Sequence, residues 1–175
     1  MPQRSPNMMR AKPLPSKQAL VLALGLAALD QLSKIAIVFW AGFATHETRH
    51  ILPFLDFTLI WNTGISYGIL EGSGEAGRWL LSAVAVFAIG LFLWFLKAGE
   101  TRLTGMAYGL LAGGALGNLV DRLWYGAVVD FISLHWAGFY WYVFNPADVW
   151  ITLGVALLVV QIWLDRKKPQ EDAAQ

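Results

Sequence analysis

The residues best suited to chemistry in this chain are two aspartates, Asp130 in the run VVDFI and Asp148 in the run FNPAD. Both occur in a largely apolar sequence, where a carboxylate is costly to retain unless it has a function. Two carboxyl groups close enough to share a proton cannot both ionise easily, so one can activate a water as general base while the other donates its proton. The pair therefore predicts the chemistry of an aspartic protease.

The composition is that of an integral membrane protein. The 175 residues are 57% hydrophobic and include nine tryptophans, and the mean hydropathy of +0.51 is too apolar for an ordinary soluble domain of this length. A net charge of +1 without a basic stripe argues against a nucleic-acid partner. The absence of cysteine excludes disulfides, thiolate catalysis and cysteine-bound metal.

Four apolar stretches predict four membrane-spanning helices, at residues 19–40, 79–96, 103–120 and 147–164. Each has about the 20 residues needed to cross the hydrocarbon core of a bilayer. Nine of the 13 basic residues flank these stretches on one side of the membrane: Arg4, Arg10, Lys12, Lys17, Lys97, Arg102, Arg166, Lys167 and Lys168. By the positive-inside rule both termini are cytoplasmic, and segments 41–78 and 121–146 face outward with both aspartates near this outer face.

The domain prediction is one four-span membrane domain at residues 17–166, between a disordered cytoplasmic extension at 1–16 and a cytoplasmic tail at 167–175. The basic N-terminus and the apolar run after it also fit a signal peptide. That run is longer than the about 7–15 residues of such a segment, and it is interrupted by Asp30 and Lys34, so a membrane span is favoured.

The predicted fold class is an all-α polytopic membrane protein with a small outward-facing β-sheet between the first two helices. Residues 55–62 alternate between apolar and polar side chains, which is the period of a strand. The following Asn62-Thr63-Gly64 is typical of a hairpin turn. Asn62 could instead hold the backbone of a substrate, and the sequence leaves both interpretations open.

Two polar residues at the outer end of the third span, Asn118 and Arg122, are one helical turn apart. They project from one face of the helix, whereas Asp121 points elsewhere. A guanidinium facing Asp130 or Asp148 would orient that carboxylate. Snorkelling and interhelical hydrogen bonding explain Asn118 and Arg122 equally well from their spacing alone.

Asp148 also has a purely structural explanation. Asn145 is a typical N-cap, Pro146 suits the first helical position, and Asp148 then lies three residues after the cap, where an acid faces the helix dipole. A carboxylate kept ionised there also suits a water-activating base, so the structural and catalytic interpretations are compatible.

Two further features of the spans indicate packing rather than chemistry. Asp30 and Lys34 are spaced i, i+4 inside the first span, which predicts a buried ion pair, because either charge alone in hydrocarbon would be expensive. Glycines recur every four residues along the third span and predict a smooth surface that another helix can approach closely; they are Gly105, Gly109, Gly113 and Gly117.

Two short motifs match other proteases. Residues 46–50, HETRH, fit the H-E-x-x-H zinc pattern, but that pattern requires His46 and His50 on one helix and a third ligand, for which His135 is one candidate. Residues 64–68, GISYG, fit the G-x-S-x-G nucleophile pattern, which requires a strand-turn-helix elbow. A solvated loop and a turn explain the two motifs better.

Taken together, the motifs resemble the lipoprotein signal peptidases, the signal peptidase II family of bacterial inner-membrane aspartic proteases. The resemblance extends from about Asp30 to Asp148 and is specific because five motifs occur in order on a four-span chain. They are DQLSK at 30–34, NTG at 62–64, GGALGNLVDR at 113–122, VVDF at 128–131 and FNPAD at 144–148.

The resemblance implies a catalytic pair, a substrate and a location. Asp130 and Asp148 would be the dyad; Asn62, Asn118, Arg122 and Asn145 would line the site, with Asp30, Lys34 and Gly64 as structural support. The substrate would be a prolipoprotein whose lipobox cysteine already carries diacylglycerol, cut on the N-terminal side of that cysteine. The enzyme would be a monomer in the bacterial cytoplasmic membrane, with membrane lipid as its surroundings and with no metal or cofactor.

Three other functions fit parts of the sequence. A proton-coupled transporter component would use Asp30 and Lys34 in a relay, but such a relay should have ionisable groups spread across the bilayer, and most of those here gather at the outer edge. A zinc membrane protease would use His46 and His50. A helix-packing accessory protein would leave Asp130 unexplained.

Overall fold

The computed structural model describes residues 16–64, 74–97 and 101–167. The predicted extension, apart from Ser16, and the tail beyond Lys167 lie outside the described residues, as does the serine of the G-x-S-x-G motif. Each of the four predicted spans corresponds to a helix that is long and apolar enough to cross a membrane. The helices are α1 (Ser16–Ile35), which continues as a π-helical turn (Ala36–Trp40), α2 (Gly74–Lys97), α3 (Arg102–Trp124) and α4 (Pro146–Lys167).

Helix α3 is the centre of the bundle and packs against α1, α2 and α4. Its most apolar window is 72% buried, against 17–28% for the other three spans. Glycines of α3 explain this position; Gly113 belongs to the predicted surface, whereas Gly114 does not. A Cβ at Gly113 would lie 2.8 Å from the Ala23 carbonyl oxygen of α1, and one at Gly114 would collide with the Ala147 carbonyl of α4. The glycines therefore bring two helices into direct contact with the backbone of α3.

A four-stranded antiparallel sheet has the order β1-β2-β3-β4. Strands β1 (Thr48–Leu52) and β2 (Leu55–Asn62) come from the segment between α1 and α2, as predicted. Strands β3 (Val128–Trp136) and β4 (Phe139–Tyr140) come from the segment between α3 and α4, for which no strand was predicted. The sheet therefore joins the segment between α1 and α2 to the segment between α3 and α4.

The hairpin predicted at Asn62-Thr63-Gly64 is wrong in position. Strand β2 turns back onto β1 at residues 53–54, and its other neighbour is β3. Asn62 instead forms a local turn, because its side-chain Oδ1 accepts the backbone N–H of Gly64 at 3.0 Å. The Asn62 amide nitrogen is thereby left to face β3.

The pairing of β2 with β3 brings Asn62 close to Asp130. Asn62 lies opposite Val128, and Ile60 lies opposite Asp130. A small core of apolar side chains packs the sheet against the π-helical turn that continues α1. Its buried members are Ile37, Phe43, Leu59, Val129 and Phe131.

Candidate active site

The first turn of α4 is closed by two reciprocal hydrogen bonds between Asn145 and Asp148. The Asn145 Oδ1 accepts the backbone N–H of Asp148 at 3.1 Å, and Asp148 Oδ2 accepts the backbone N–H of Asn145 at 3.3 Å. This is a capping box, and the predicted N-cap arrangement with Pro146 at the first helical position is present. Because the cap occupies the oxygen of the Asn145 amide, its nitrogen points away from the helix.

Asp130 receives that nitrogen. Asn145 Nδ2 donates to Asp130 Oδ1 at 2.6 Å, and Asn62 Nδ2 donates to Asp130 Oδ2 at 2.9 Å. Asp130 is only 2% exposed. Asn145 therefore contacts both aspartates, one through its side chain and the other through its backbone, and it joins them into one cluster.

The environment of Asp130 favours its protonated form. Burial raises the pKa of Asp130 to about 7, and the charge of Asp148 contributes in the same direction. The hydrogen bonds from Asn62 and Asn145 oppose these effects without cancelling them. The carboxyl group can therefore hold a proton near neutral pH, as a general acid requires.

Asn118 connects the aspartates to the interior of the bundle. Its Nδ2 donates to Asp148 Oδ1 at 3.0 Å. Its Oδ1 accepts two hydrogen bonds, from Asn145 Nδ2 at 3.1 Å and from Lys34 Nζ at 3.1 Å. The amide thus lies between a buried cation and one of the two carboxylates.

Arg122 does not make the carboxylate contact that the sequence suggested. Its NH2 donates instead to the backbone carbonyl of Gly64 at 3.2 Å. The guanidinium therefore binds the chain just after β2. The side chains that donate to Asp130 and Asp148 are asparagines instead. Gly64 thereby has a position in the site, as one end of this link.

The predicted ion pair of Asp30 and Lys34 is present and includes a third residue. Lys34 Nζ lies 2.8 Å from Asp30 Oδ2 and 2.7 Å from Asp121 Oδ2, and all three side chains are buried. Asp121 also accepts from Gln31 Nε2 at 2.7 Å. No role was predicted for Asp121. An acid inside an apolar span needs a partner, and this requirement is the sequence feature that indicates a buried contact for Asp121.

This buried cluster reaches the backbone beside each aspartate of the site. Asp121 Oδ2 accepts the N–H of Val129 at 3.1 Å, and Asp30 Oδ1 accepts the N–H of Ala147 at 3.0 Å. Gly117 makes room for the second contact, because a Cβ there would collide with the Asp30 carboxylate. The cluster is therefore a structural base for β3 and for α4 at once.

The zinc motif does not form the helix that it requires. His46 has a positive φ of 64° in the segment before β1, and His50 lies in β1. His50 Nδ1 instead lies 2.7 Å from Asp56 Oδ1, with His135 Nε2 at 3.3 Å from the same oxygen. Across the described ranges, no group of three or more histidine and acidic side chains is arranged to hold a metal ion.

The arrangement at the C-terminal end of α3 and the N-terminal end of α4 can perform acid–base chemistry. It contains a carboxyl group whose pKa lies near neutrality and a second carboxylate at a helix N-terminus. Three asparagine amides donate to these two groups, those of Asn62 and Asn145 to Asp130 and that of Asn118 to Asp148. A peptide bond and a water held against both groups would meet one proton donor and one proton acceptor.

Comparison with known proteins gives a consistent result. A family model described as signal peptidase (SPase) II matches residues 22–164. A lipoprotein signal peptidase of Methylorubrum extorquens (strain PA1) is 46% identical over 145 residues, covering 82% of this chain and 84% of its own. One of Methylobacterium radiotolerans is 48% identical over 143 residues, covering 81% of each chain.

Solved structures agree with the fold. A bacterial membrane enzyme determined by the in meso method at 2.3 Å resolution superposes with a TM-score of 0.81 at 28% sequence identity, covering 93% of this chain and 97% of that one. A second bacterial membrane enzyme, at 1.9 Å resolution, has a TM-score of 0.72 and 27% identity.

Proposed function

Since this chain belongs to the signal peptidase II family, we propose that it is an aspartic endopeptidase that uses Asp130 and Asp148. Its substrate is a bacterial prolipoprotein already modified with diacylglycerol, and it releases the signal peptide by cutting on the N-terminal side of the lipidated cysteine. The observation that carries this proposal is Asn145, whose side chain and backbone hold the two carboxyl groups in one cluster.

Both carboxyl groups accept one hydrogen bond at each oxygen, but they lie on different elements, and this difference supports different roles. Each oxygen of Asp130 accepts an amide N–H, so a proton on Asp130 must use a lone pair directed away from the asparagines, towards Asp148 or the substrate. Asp148 lies in the first turn of α4, where the helix dipole favours a negative charge. Asp130 is therefore the resting proton donor, and Asp148 is the general base.

The reaction follows from these roles. Asp148 removes a proton from water, and the water oxygen bonds to the scissile carbonyl carbon while Asp130 donates its proton to the carbonyl oxygen. In the tetrahedral intermediate, the C–N bond breaks as the amine nitrogen takes the proton held by Asp148. The new carboxyl product returns a proton to Asp130, and every proton is thereby accounted for.

The distribution of basic residues indicates which end of the helical bundle faces the cytoplasm. The basic residues of the termini and of the loop near Arg102 support a cytoplasmic location for that side of the bundle by the positive-inside rule. Asp130, Asp148 and the sheet then lie at the outer face, where a lipidated peptide can enter sideways while its acyl chains stay in the bilayer. Asp30 and Lys34 are bonded to each other and to Asp121, an arrangement that supports a structural role rather than a transport relay.

The test is cleavage of a diacylglyceryl-modified prolipoprotein by the detergent-purified protein. Asp130→Asn and Asp148→Asn should each abolish release of the signal peptide, whereas a chelator should leave it intact. Glu75→Gln is the matched control, because Glu75 is a carboxylate at the start of α2 with an 82% exposed side chain. Full activity in either aspartate variant, or loss of activity with the chelator, would contradict the proposal.

A further inference from the structure

The ammonium group of Lys34 has three hydrogen-bond acceptors around it. It lies 2.8 Å from Asp30, 2.7 Å from Asp121 and 3.1 Å from the Oδ1 of Asn118. An ammonium has three N–H donors, so each donor has one partner. Two of them anchor the lysine, and the third is directed to a residue that contacts the proposed dyad.

That third hydrogen bond decides which way the Asn118 amide points. In the observed orientation, Oδ1 faces two donors, Lys34 Nζ and Asn145 Nδ2, and Nδ2 faces Asp148 Oδ1. Turning the amide over would place its NH2 against two other donors and its oxygen against a carboxylate. Three buried contacts would then be repulsive, and the cost of leaving buried polar groups unpaired excludes that orientation.

We propose that Lys34 is a positioning residue for catalysis, which acts by holding the Asn118 amide so that its nitrogen donates to Asp148. The role rests on the proposed function, because it concerns the geometry of the proposed general base. Because Nδ2 of Asn118 lies opposite Asp148 Oδ1, that oxygen accepts a hydrogen bond from the amide. The carboxylate of Asp148 therefore takes up the proton from water at its remaining lone pairs. Removing Lys34 leaves the amide with one donor at Oδ1 and a less defined orientation.

The surrounding contacts allow this role to be separated from simple stabilisation. Asp121 also accepts from Gln31 Nε2 at 2.7 Å and from the Val129 N–H at 3.1 Å, and neither contact involves Lys34. An asparagine at position 30 still offers an oxygen to the Ala147 N–H, which lies 3.0 Å from Asp30 Oδ1. The double variant Lys34→Met/Asp30→Asn therefore removes the donor to Asn118 while it retains the backbone contacts of the cluster.

The experiment is a double-mutant cycle on kcat and KM in the Asp30→Asn background. Four proteins are compared: Asp30→Asn alone, the same with Lys34→Met, the same with Asn118→Ala, and the same with both. We expect Lys34→Met to lower kcat about 10–100-fold, as changes behind a directly acting group do, and to leave KM unchanged. In the Asn118→Ala background it should have no further effect, because the residue through which it acts is gone.

An equal loss of kcat in both backgrounds, or no loss in either, would overturn the proposal. If the Lys34→Met/Asp30→Asn protein does not fold, as judged by thermal melting, the same cycle is built with Asp121→Asn in place of Asp30→Asn. Failure of both pairs to fold would overturn the proposal in favour of a purely structural lysine. Absence of cleavage by the unmodified protein would instead defeat the proposed function, so the two failures are distinguishable.

Discussion

Asp121 accepts a hydrogen bond from the backbone N–H of Val129 at 3.1 Å, and Val129 is the residue directly before Asp130. The same relationship exists on the other side of the site, where Asp30 accepts the N–H of Ala147 at 3.0 Å, directly before Asp148. One buried lysine binds both acids. The backbone positions of the two aspartates are therefore set by a common cluster.

Removal of the charge at the centre of this cluster should destabilise the protein strongly. Lys34→Met leaves two buried carboxylates facing each other, and breaking a buried ion pair typically costs about 3–5 kcal/mol. We expect a large drop in the melting temperature in detergent. Lys17→Met, at an exposed position of the same helix, should melt close to the unmodified protein; equal melting temperatures for the two variants would show that the cluster contributes little.

Gly117 should not tolerate a side chain. A Cβ there would collide with the Asp30 carboxylate, so Gly117→Ala should destabilise the fold by about 1–3 kcal/mol and lower activity by shifting α4. Gly25→Ala is the matched control, because a Cβ at Gly25 meets nothing within 4 Å. Thermal melting of both variants tests the prediction, and a Gly117→Ala protein as stable as the Gly25→Ala protein would refute it.

The two roles of Asn145 should be separable by substitution. Asn145→Ser keeps an N-cap of similar quality for α4 but removes the amide donor to Asp130 and Asn118. We expect the contribution of the cap to be retained, a loss of about 1–3 kcal/mol from the missing donor to buried acceptors, and a kcat lower by about 10²–10³-fold, the scale of losing one aligned donor in a catalytic site. Asn145→Ala should also lose about 0.5–2 kcal/mol of stability from the cap. Steady-state kinetics and thermal melting distinguish the two variants.

Cleavage should decline as pH rises through neutrality. Burial and the charge of Asp148 raise the pKa of Asp130 to about 7, so the proton that the mechanism needs on Asp130 is present below that pH and is lost above it. The profile of kcat/KM against pH, which reports the free enzyme, should therefore fall on the alkaline side. The exposed control Glu75→Gln should give the same profile, and a rate that stays constant at alkaline pH would argue against Asp130 as the proton donor.

Stability should depend on pH through the same group. The pKa of Asp130 is raised from 3.8 to about 7 on folding, so the folded state binds more protons than the unfolded state between these values. The stabilisation from this group is complete below about 4 and is lost as pH rises through about 7. The melting temperature of the unmodified protein should thus fall more between pH 5 and pH 8 than that of Asp130→Asn; parallel changes would contradict this.

Local sequence patterns predicted the elements better than their connections. Hydropathy alone indicates all four spans, and alternation indicates β2. Strand β3 was not predicted, because residues Val128, Val129, Asp130 and Phe131 are all buried. Both faces of the strand are covered, so its sequence lacks the alternation of apolar and polar residues that indicates a strand. Its pairing with β2 depends on α3, which returns the chain to the end of the bundle where β2 lies.

Contacts of the candidate site between residues close in sequence could be predicted, whereas contacts between residues far apart in the chain could not. Asn145 and Asp148 form a capping box within four residues, and the sequence indicates it directly. The role of Asp121 depends on contacts with residues such as Gln31, which is 90 positions away in the chain. The sequence leaves open whether Arg122 faces Asp130 or Asp148 or serves packing, and the hydrogen bond that the structure shows is to the Gly64 carbonyl.

The capping box also has a consequence for biosynthesis. Because Asp148 makes one of the two hydrogen bonds that start α4, the proposed dyad is incomplete until this helix is present. A nascent chain that has inserted only its first three spans has Asp130 without its partner. In the proposed enzyme, proteolysis therefore begins only when translation has finished the fourth span, and an unfinished chain cannot cut the proteins inserted beside it.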